Sequence, residues 1–283
     1  MEHKSKLSIE EKLTSAARVT KSSSRLSSVA NSIRLLKAFT DEEFELGVSS
    51  LAKRLGLAKS TVHRLASTLI KDDMLEQDKE TGKYRLGLAL FELGARVRRK
   101  MNVFNEAQFA LKDLVEKTEE TAHLTVLDHA SVMFLYKFES RQAIRMKSIL
   151  GARVPAHCSA DGKAILAYQT KERIESIAIN GLAAQTTKTI TTVEQLMVDL
   201  AQVRARGYAL DDEETEVGLR AIAAPIRDHT GEVVAAISIA GPIQRMTKKV
   251  VLSHAPKVVA AAEAISARLG HSLRHSMRLQ RFA

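Results

Sequence analysis

The chain has 283 residues, 45% of them hydrophobic and 27% charged, with no Trp and a formal net charge of +10, which is the make-up of a soluble globular protein with room for two domains of about 100 to 200 residues. No uninterrupted apolar run approaches the roughly 18 to 20 residues that cross a bilayer, residues 1–28 lack the apolar core of a secretory signal, and the single cysteine, Cys158, excludes an intrachain disulfide and a cysteine-built zinc site. The expectation is a cytoplasmic protein with no membrane partner, whose first 100 residues carry +7 of the charge against +3 for the rest and so suit a polyanion.

Residues 1–27, rich in Lys, Ser and Thr, are expected to form a basic arm rather than a packed element. Val29, Ile33, Leu36 and Thr40 then follow helical spacing. The segment from Val48 to Ile70 divides at Gly56. Ser49 or Ser50 can cap a short helix that buries Leu51, Ala52 and Leu55, and Gly56 supplies the permissive turn. A second helix from about Ala58 buries Val62, Leu65, Ala66 and Leu69, leaving Lys59, Ser60, Thr61, His63 and Arg64 outward at its start. Two short helices about a glycine, the second opening with small polar and basic groups, describe a helix-turn-helix. Met74–Gln77 and Lys83–Leu86, joined by a turn ending in Thr81-Gly82, predict a hairpin wing whose Lys83 and Arg85 can hold phosphate, with Glu76, Asp78 and Glu80 facing away from DNA. A helix over residues 88–101, with Leu90, Leu93 and Val97 on one face, is the expected linker.

From Asn102 the pattern changes. Predicted are a helix at Phe104–Thr118, strands at His123–Leu127, Val132–Phe138 and Ala143–Ser148, and helices at Asp161–Tyr168, Lys171–Ile177 and Val193–Arg206. Strands at Leu219–Ile226 and Val233–Ala240, joined by Asp228-His229-Thr230-Gly231, and a last helix over Lys248–Leu269 follow, stopping at Gly270. Hairpins interrupted by helices imply an α+β domain with an antiparallel or mixed sheet packed by helices.

The chain resembles the IclR family of transcriptional regulators from about Ser28 to Gly270. The resemblance rests on LAKRLGLAKSTVHRL in the helix-turn-helix, YRLG at Tyr84–Gly87, IRMKSILGARVPAHCSADGKAILA at Ile144–Ala167, GYALDDEETEVGLRAIAAPI at Gly207–Ile226 and VVAAISIAGP at Val233–Pro242. It implies a winged helix-turn-helix domain over 28–87, a linker helix over 88–101, a GAF-like effector domain over 102–270 and a basic tail over 271–283. It also implies a double-stranded DNA operator and a small-molecule metabolite as partners, with assembly as a homodimer or homotetramer. Ser49, Lys59, Ser60, Thr61, His63, Arg64, Lys83 and Arg85 become the candidate DNA contacts, where arginine reads guanine or holds phosphate.

By the same resemblance, the family's small-carboxylate sensors line a pocket with a short loop before a Gly-Lys pair, an acidic residue, a cysteine and serines on the last strands. Those positions fall here at Ser159–Lys163, Asp211, Ala221, Ser238 and Ala240, so that Met146, Ala160, Asp161, Asp211, Ala221, Ser238 and Ala240 are the candidate effector contacts. A thiol and a hydroxyl are missing and Asp161 adds an acid, which implies a different ligand. A buried carboxylate needs a partner, so Asp161 and Asp211 either meet a hydroxyl, amine or cation, or face solvent; for Asp161 a helix N-cap is the plain alternative.

Enzyme readings are weaker. His157 and Cys158, adjacent on an extended segment, would point to opposite faces and could not form a nucleophile–base pair. Asp211-Asp212-Glu213-Glu214 is an acidic turn without a sugar-binding aromatic platform, and His123, His129 and His157 lack metal-ligand spacing. No catalytic residue, metal or cofactor is expected. The remaining alternatives are a hydrolase using Cys158 or the acidic cluster and a chromosome-coating protein, the latter marked by steep salt dependence without sequence preference.

Overall fold

The computed structural model describes residues 28–271 apart from Lys147 and Asn180. The expected basic arm, nearly all of the basic tail and the side chains of Arg98, Arg99 and Lys100 lie outside the described residues. The chain divides at Lys100–Met101 into two compact units, each described on its own.

In the first unit, helix α1 covers residues 28–36 and is followed by α2 (Val48–Leu55) and α3 (Lys59–Lys71), the hairpin β1 (Leu75–Gln77) and β2 (Tyr84–Leu86), and α4 (Leu88–Lys100). Leu35, Leu51, Leu55, Val62, Leu65, Leu75 and Tyr84 form its core. The buried side of α1 carries Leu35, while Val29 and Ile33 of the expected stripe are exposed, because the helix stops at residue 36 and Arg34 anchors it by donating to the Leu55 carbonyl at 2.8 Å. Ser49 and Ser50 do not cap α2. Gly47 occupies the cap position, since Leu46 is held extended by a bridge to Tyr84 and the helix can begin only just after it. Gly56 ends α2 at φ +68°, as the sequence requires.

The second unit is a three-layer α/β/α arrangement. Its elements are α5 (Asn102–Thr118), β3 (Thr121–Asp128), β4 (Ser131–Phe138), β5 (Arg153–Pro155), α6 (Ala160–Leu166), α7 (Lys171–Ala178), α8 (Val193–Arg206), β6 (Ala209–Asp212), β7 (Leu219–Arg227), β8 (Val233–Pro242), α9 (Lys248–Ser253) and α10 (Ala255–Arg268). The sheet order is β5-β4-β3-β8-β7-β6, with every pairing antiparallel. Alternation sorts the two faces. Ile222, Ala224, Ile237 and Ile239 pack with residues of α5 and α10, whereas Ala221, Ala223, Ala236 and Ala240 pack with residues of α6, α7 and α8.

Three expectations change here. Ala143–Ser148 is not a strand, because the backbone of Phe134 on the free edge of β4 pairs with Gly151 and Ala152, and Arg153–Pro155 continues that pairing as β5. The short strand β6 was absent from the predicted elements. The last helix breaks at His254, one residue before α10, whose first turn holds Pro256. The stretch Lys248–Arg268 is long and apolar enough, at a mean hydropathy of 1.2, to cross a membrane; Val251, Val258, Ala262 and Ile265 are instead buried in the core of this unit.

All seven residues of α6 are buried. Such close seating depends on Gly162, where a Cβ would lie 2.2 Å from the Ala156 carbonyl oxygen. Gly162→Ala is expected to destabilise the second unit by about 1–3 kcal/mol through overpacking. Gly94→Ala in α4, where a Cβ meets nothing within 4 Å, should stabilise by about 0.5–1 kcal/mol. Urea unfolding of each variant reads both.

Candidate functional site

Cross-strand register builds a polar site inside the alanine-lined face. Asp211 of β6 pairs with Ala221 of β7, which pairs with Ala240 of β8. One row along, Ser238 lies between Ala223 and His123. Helix α6 covers these rows, and with the loop residue Met146 and with Phe134, Val154, Ser159, Thr215 and Leu219 they enclose a cavity of about 20 Å³, room for about one water. Met146, Ala160, Asp161, Asp211, Ala221 and Ala240 of the expected contacts line it. Ser238 sits behind them beside Asp161.

Asp161 is not the cap of α6. Ser159 is, accepting from the Gly162 N–H, and this turns Asp161 inward, where its carboxylate accepts from Thr125 Oγ1 at 2.9 Å. Burial pushes the Asp161 carboxyl up to about 6, against the pull of the nearby Ser238 and Thr125 hydroxyls. Ser238 Oγ, although close, is buried with no well-directed hydrogen bond. Asp211 is also buried and raised by desolvation, while one of its oxygens accepts from the backbone N–H of Glu214 at 2.7 Å and of Thr215 at 3.3 Å. His123 is buried and driven down to about 3, hence neutral, with Nε2 2.9 Å from Ser148 Oγ.

Next to the cavity lies a charged cluster that the spacing of residues does not disclose. Lys163, 1% exposed, reaches Glu214 at 2.5 Å and Asp199 at 3.1 Å. Burial raises the Glu214 carboxyl to about 7 even against Lys163. The signal available was only the Gly-Lys pair; the acid partners come from 36 and 51 residues along the chain and are brought in by α8 and by the turn after β6.

The segment Ala156–Cys158 is a turn following Pro155 rather than an extended stretch. His157 Nε2 bonds to the Ala183 carbonyl at 3.1 Å, and burial pushes the Cys158 thiol up to about 11, the reverse of an activated nucleophile. Asp211 to Glu214 are split among a buried acid, an ion pair to Arg220 and Lys248, one to Lys188 and one to Lys163. Among the described residues no group of His, Cys, Asp and Glu could hold a metal ion.

In the first unit, Lys59, Ser60, His63 and Arg64 lie exposed on the first two turns of α3, with Thr61 half-buried, and Ser49 is exposed at the start of α2. Neither α2 nor α3 has a side-chain cap or an acidic residue in its first turn, so both present open backbone N–H groups and the positive end of the helix dipole. Arg64, Lys59 and Lys83 form no side-chain ion pair among the described residues. Arg85 does: it faces Glu76 across the hairpin, paired at 2.8 Å. Glu76 therefore shares the face of Arg85 instead of turning away, since directly opposed residues of a two-stranded ribbon project on one side. Asp78 is occupied in capping the wing turn, accepting from Thr81 N–H at 2.7 Å.

A basic helix-turn-helix with a wing, joined in one chain to an α/β/α unit that holds a small cavity beside two buried carboxyl groups, defines a DNA-binding regulator. The IclR helix-turn-helix domain matches residues 28–79 and the C-terminal domain of the bacterial transcriptional regulator IclR matches residues 95–267. The HTH-type transcriptional regulator KdgR of Escherichia coli is 37% identical over 248 residues, which cover 87% of this chain and 94% of that protein. The Thermotoga maritima IclR crystal structure aligns with a TM-score of 0.73 at 30% identity, covering 87% and 100% of the two chains. A second crystal structure, an IclR homologue from Microbacterium hydrocarbonoxydans complexed with 4-hydroxybenzoate, aligns at 0.76 with 28% identity over 87% and 100%. The chain belongs to the IclR family of transcriptional regulators, with an N-terminal helix-turn-helix DNA-binding domain and a C-terminal effector-binding domain; it is a regulator and not an enzyme.

Desolvation at Asp161 has a measurable consequence. Its folded value of about 6 lies above the ordinary 3.8, so the contribution of Asp161 to the stability of the folded state falls as pH rises from about 4 through 6 and is level above about 7. Asp161→Asn should gain stability relative to the parent across that window, by on the order of 1–3 kcal/mol. Denaturant unfolding of both proteins at pH 5 and pH 7.5 checks it; an advantage that is equal at the two values would place Asp161 in water.

Proposed function

We propose that Lys59, Ser60, Thr61, His63 and Arg64 of α3 enter the major groove of an operator while Ser49 of α2 and Lys83 of the wing hold flanking phosphates. The observation that carries this is the set of exposed, unpaired cations at the uncapped start of α3. Arg85, committed to Glu76, contributes less than the sequence suggests. The GAF-like label for the second unit, the linker role of α4 over residues 88–101 and an effector domain over 102–270 belong to the same reading.

The cavity lined by Met146, Ala160, Asp161, Asp211, Ala221 and Ala240, with Ser238 behind Asp161, is the effector site in this proposal. The ligand held by the Microbacterium homologue is consistent with a small organic molecule. Any such ligand exceeds the room for about one water, so the wall must yield; Met146, unbranched and partly exposed, is the segment suited to that. The ligand then controls operator binding only through a difference in affinity between the arrangements it meets. We further propose that the protein acts in the compartment that holds its DNA, the cytoplasm, as a homodimer or a dimer of dimers on a partly palindromic site. Exposed Leu88, Phe91, Leu93 and Val97 on α4 support assembly, since so many uncovered apolar groups on one helix call for a partner.

Two measurements test these readings. In anisotropy titrations against the DNA upstream of its own gene, with excess competitor, Arg64→Ala should lose about 1–3 kcal/mol of binding, and Arg85→Ala markedly less. Equal losses, or binding no better than to random DNA, would reject the assignment. Sedimentation of Leu93→Glu should show a shift toward monomer; an unchanged oligomer would remove α4 from the interface.

A further inference from the structure

The chemistry of the cavity restricts what it can take, a deduction that rests on reading the cavity as the effector site. Two buried carboxyl groups, Asp161 and Asp211, line it, and the charge of Asp211 opposes the ionisation of Asp161. Among the described residues no Lys or Arg side chain lines it. The Lys163 ammonium, whose charge acts on Asp211, is paired with Glu214 and Asp199. Lys137, which lies near His123, is engaged with Glu139 at 2.7 Å and with the Ser148 carbonyl at 2.5 Å. His123, facing the same space, is neutral. The start of α6 already carries a carboxylate, that of Asp161.

The acceptors, by contrast, are in surplus. Among the described residues the one well-directed hydrogen bond to the Asp161 side chain from another residue comes from Thr125 at 2.9 Å, and Asp211 uses one oxygen for both of its backbone bonds, with the Thr215 hydroxyl also acting on it. Ser238 Oγ, 0% exposed, makes no well-directed hydrogen bond, although it lies close enough to Asp161 to pull its carboxyl down. Buried acceptors and a poorly directed hydroxyl are costly unless a donor arrives, and a ligand carboxylate in the same space adds like-charge repulsion at low dielectric.

We propose that the part of the effector facing Asp161 is a hydrogen-bond donor, hydroxyl-rich or carrying an ammonium, and that the pocket rejects a carboxylate there. Asp161 bonds the donor directly and Ser238 turns to complete its shell. Substituting the acid by its amide removes the repulsion and reverses the preference.

The full-length protein is to be titrated by calorimetry and thermal shift with two matched series: lactate, 1,2-propanediol and 1-amino-2-propanol, and 4-hydroxybenzoate, 4-hydroxybenzyl alcohol and 4-hydroxybenzylamine. At least one alcohol or amine should bind, at least tenfold more tightly than its carboxylate counterpart. Asp161→Asn should narrow or invert that ratio by tenfold or more. The proposal is overturned if a carboxylate binds the parent protein as tightly as its matched alcohol and amine, or if no alcohol or amine binds. Ala221→Leu, which fills the cavity, separates the two readings, with Met146→Phe as its substitute if that variant does not fold. Carboxylate binding that the filling abolishes keeps the pocket and ends the donor preference, whereas binding of any probe that survives the filling ends the assignment of the pocket itself.

Discussion

The seating of one short helix governs the regulatory unit. Helix α6 can press its entire length into the domain because Gly162 has no side chain at its contact with Ala156 and because the strands beneath it carry alanine at 221, 223, 236 and 240. That approach leaves its two charged residues no route to water. Asp161 goes toward the sheet and meets Thr125, and Lys163 finds Asp199 and Glu214. An uncompensated charge at either position would cost several kcal/mol, so the neighbouring strands and α8 are obliged to supply partners. The cavity is what remains between a closely packed helix and a sheet whose residues are too small to fill the space.

Coupling between cavity and surroundings follows from the same packing. The turn after β6 is held on one side by Asp211, which accepts from its backbone, and on the other by Lys163 through Glu214. Thr189 ties it further by donating to the Glu214 carbonyl at 2.6 Å. A ligand that displaces Asp211 must therefore disturb the Lys163 cluster, a contiguous chain of polar contacts leading from the pocket to α8.

In the DNA-binding unit the constraint is a division of labour among cations. Arg34 and Arg54 are spent on the Leu55 and Ala38 carbonyls, where they brace α1 against α2, and Arg85 pairs with Glu76. The net positive charge of the segment is thus larger than the charge offered to a partner. Lys59, His63 and Arg64 on α3 and Lys83 on the wing remain outward, beside helix starts whose N–H groups no side chain has claimed.

Much of this was legible in the chain itself. The glycine between α2 and α3, the period-3.6 burial of Val62, Leu65 and Ala66, the bounds of α8 and the hairpin of β7 and β8 follow from local chemistry, because turn residues and side-chain periodicity act within a few positions. Resemblance to a family then aligned Asp211, Ala221, Ser238 and Ala240, which strand register places around one site. What the sequence could not decide depends on residues far apart. That Gly47 and not Ser49 or Ser50 caps α2 was settled by the bridge of Leu46 to Tyr84, and that residues 153–155 and not 143–148 edge the sheet by which of them reached β4. The burial of Asp161 and Lys163 is of the same kind: a charged side chain is surface or core according to how closely a helix can approach its sheet, and only the assembled packing sets that distance.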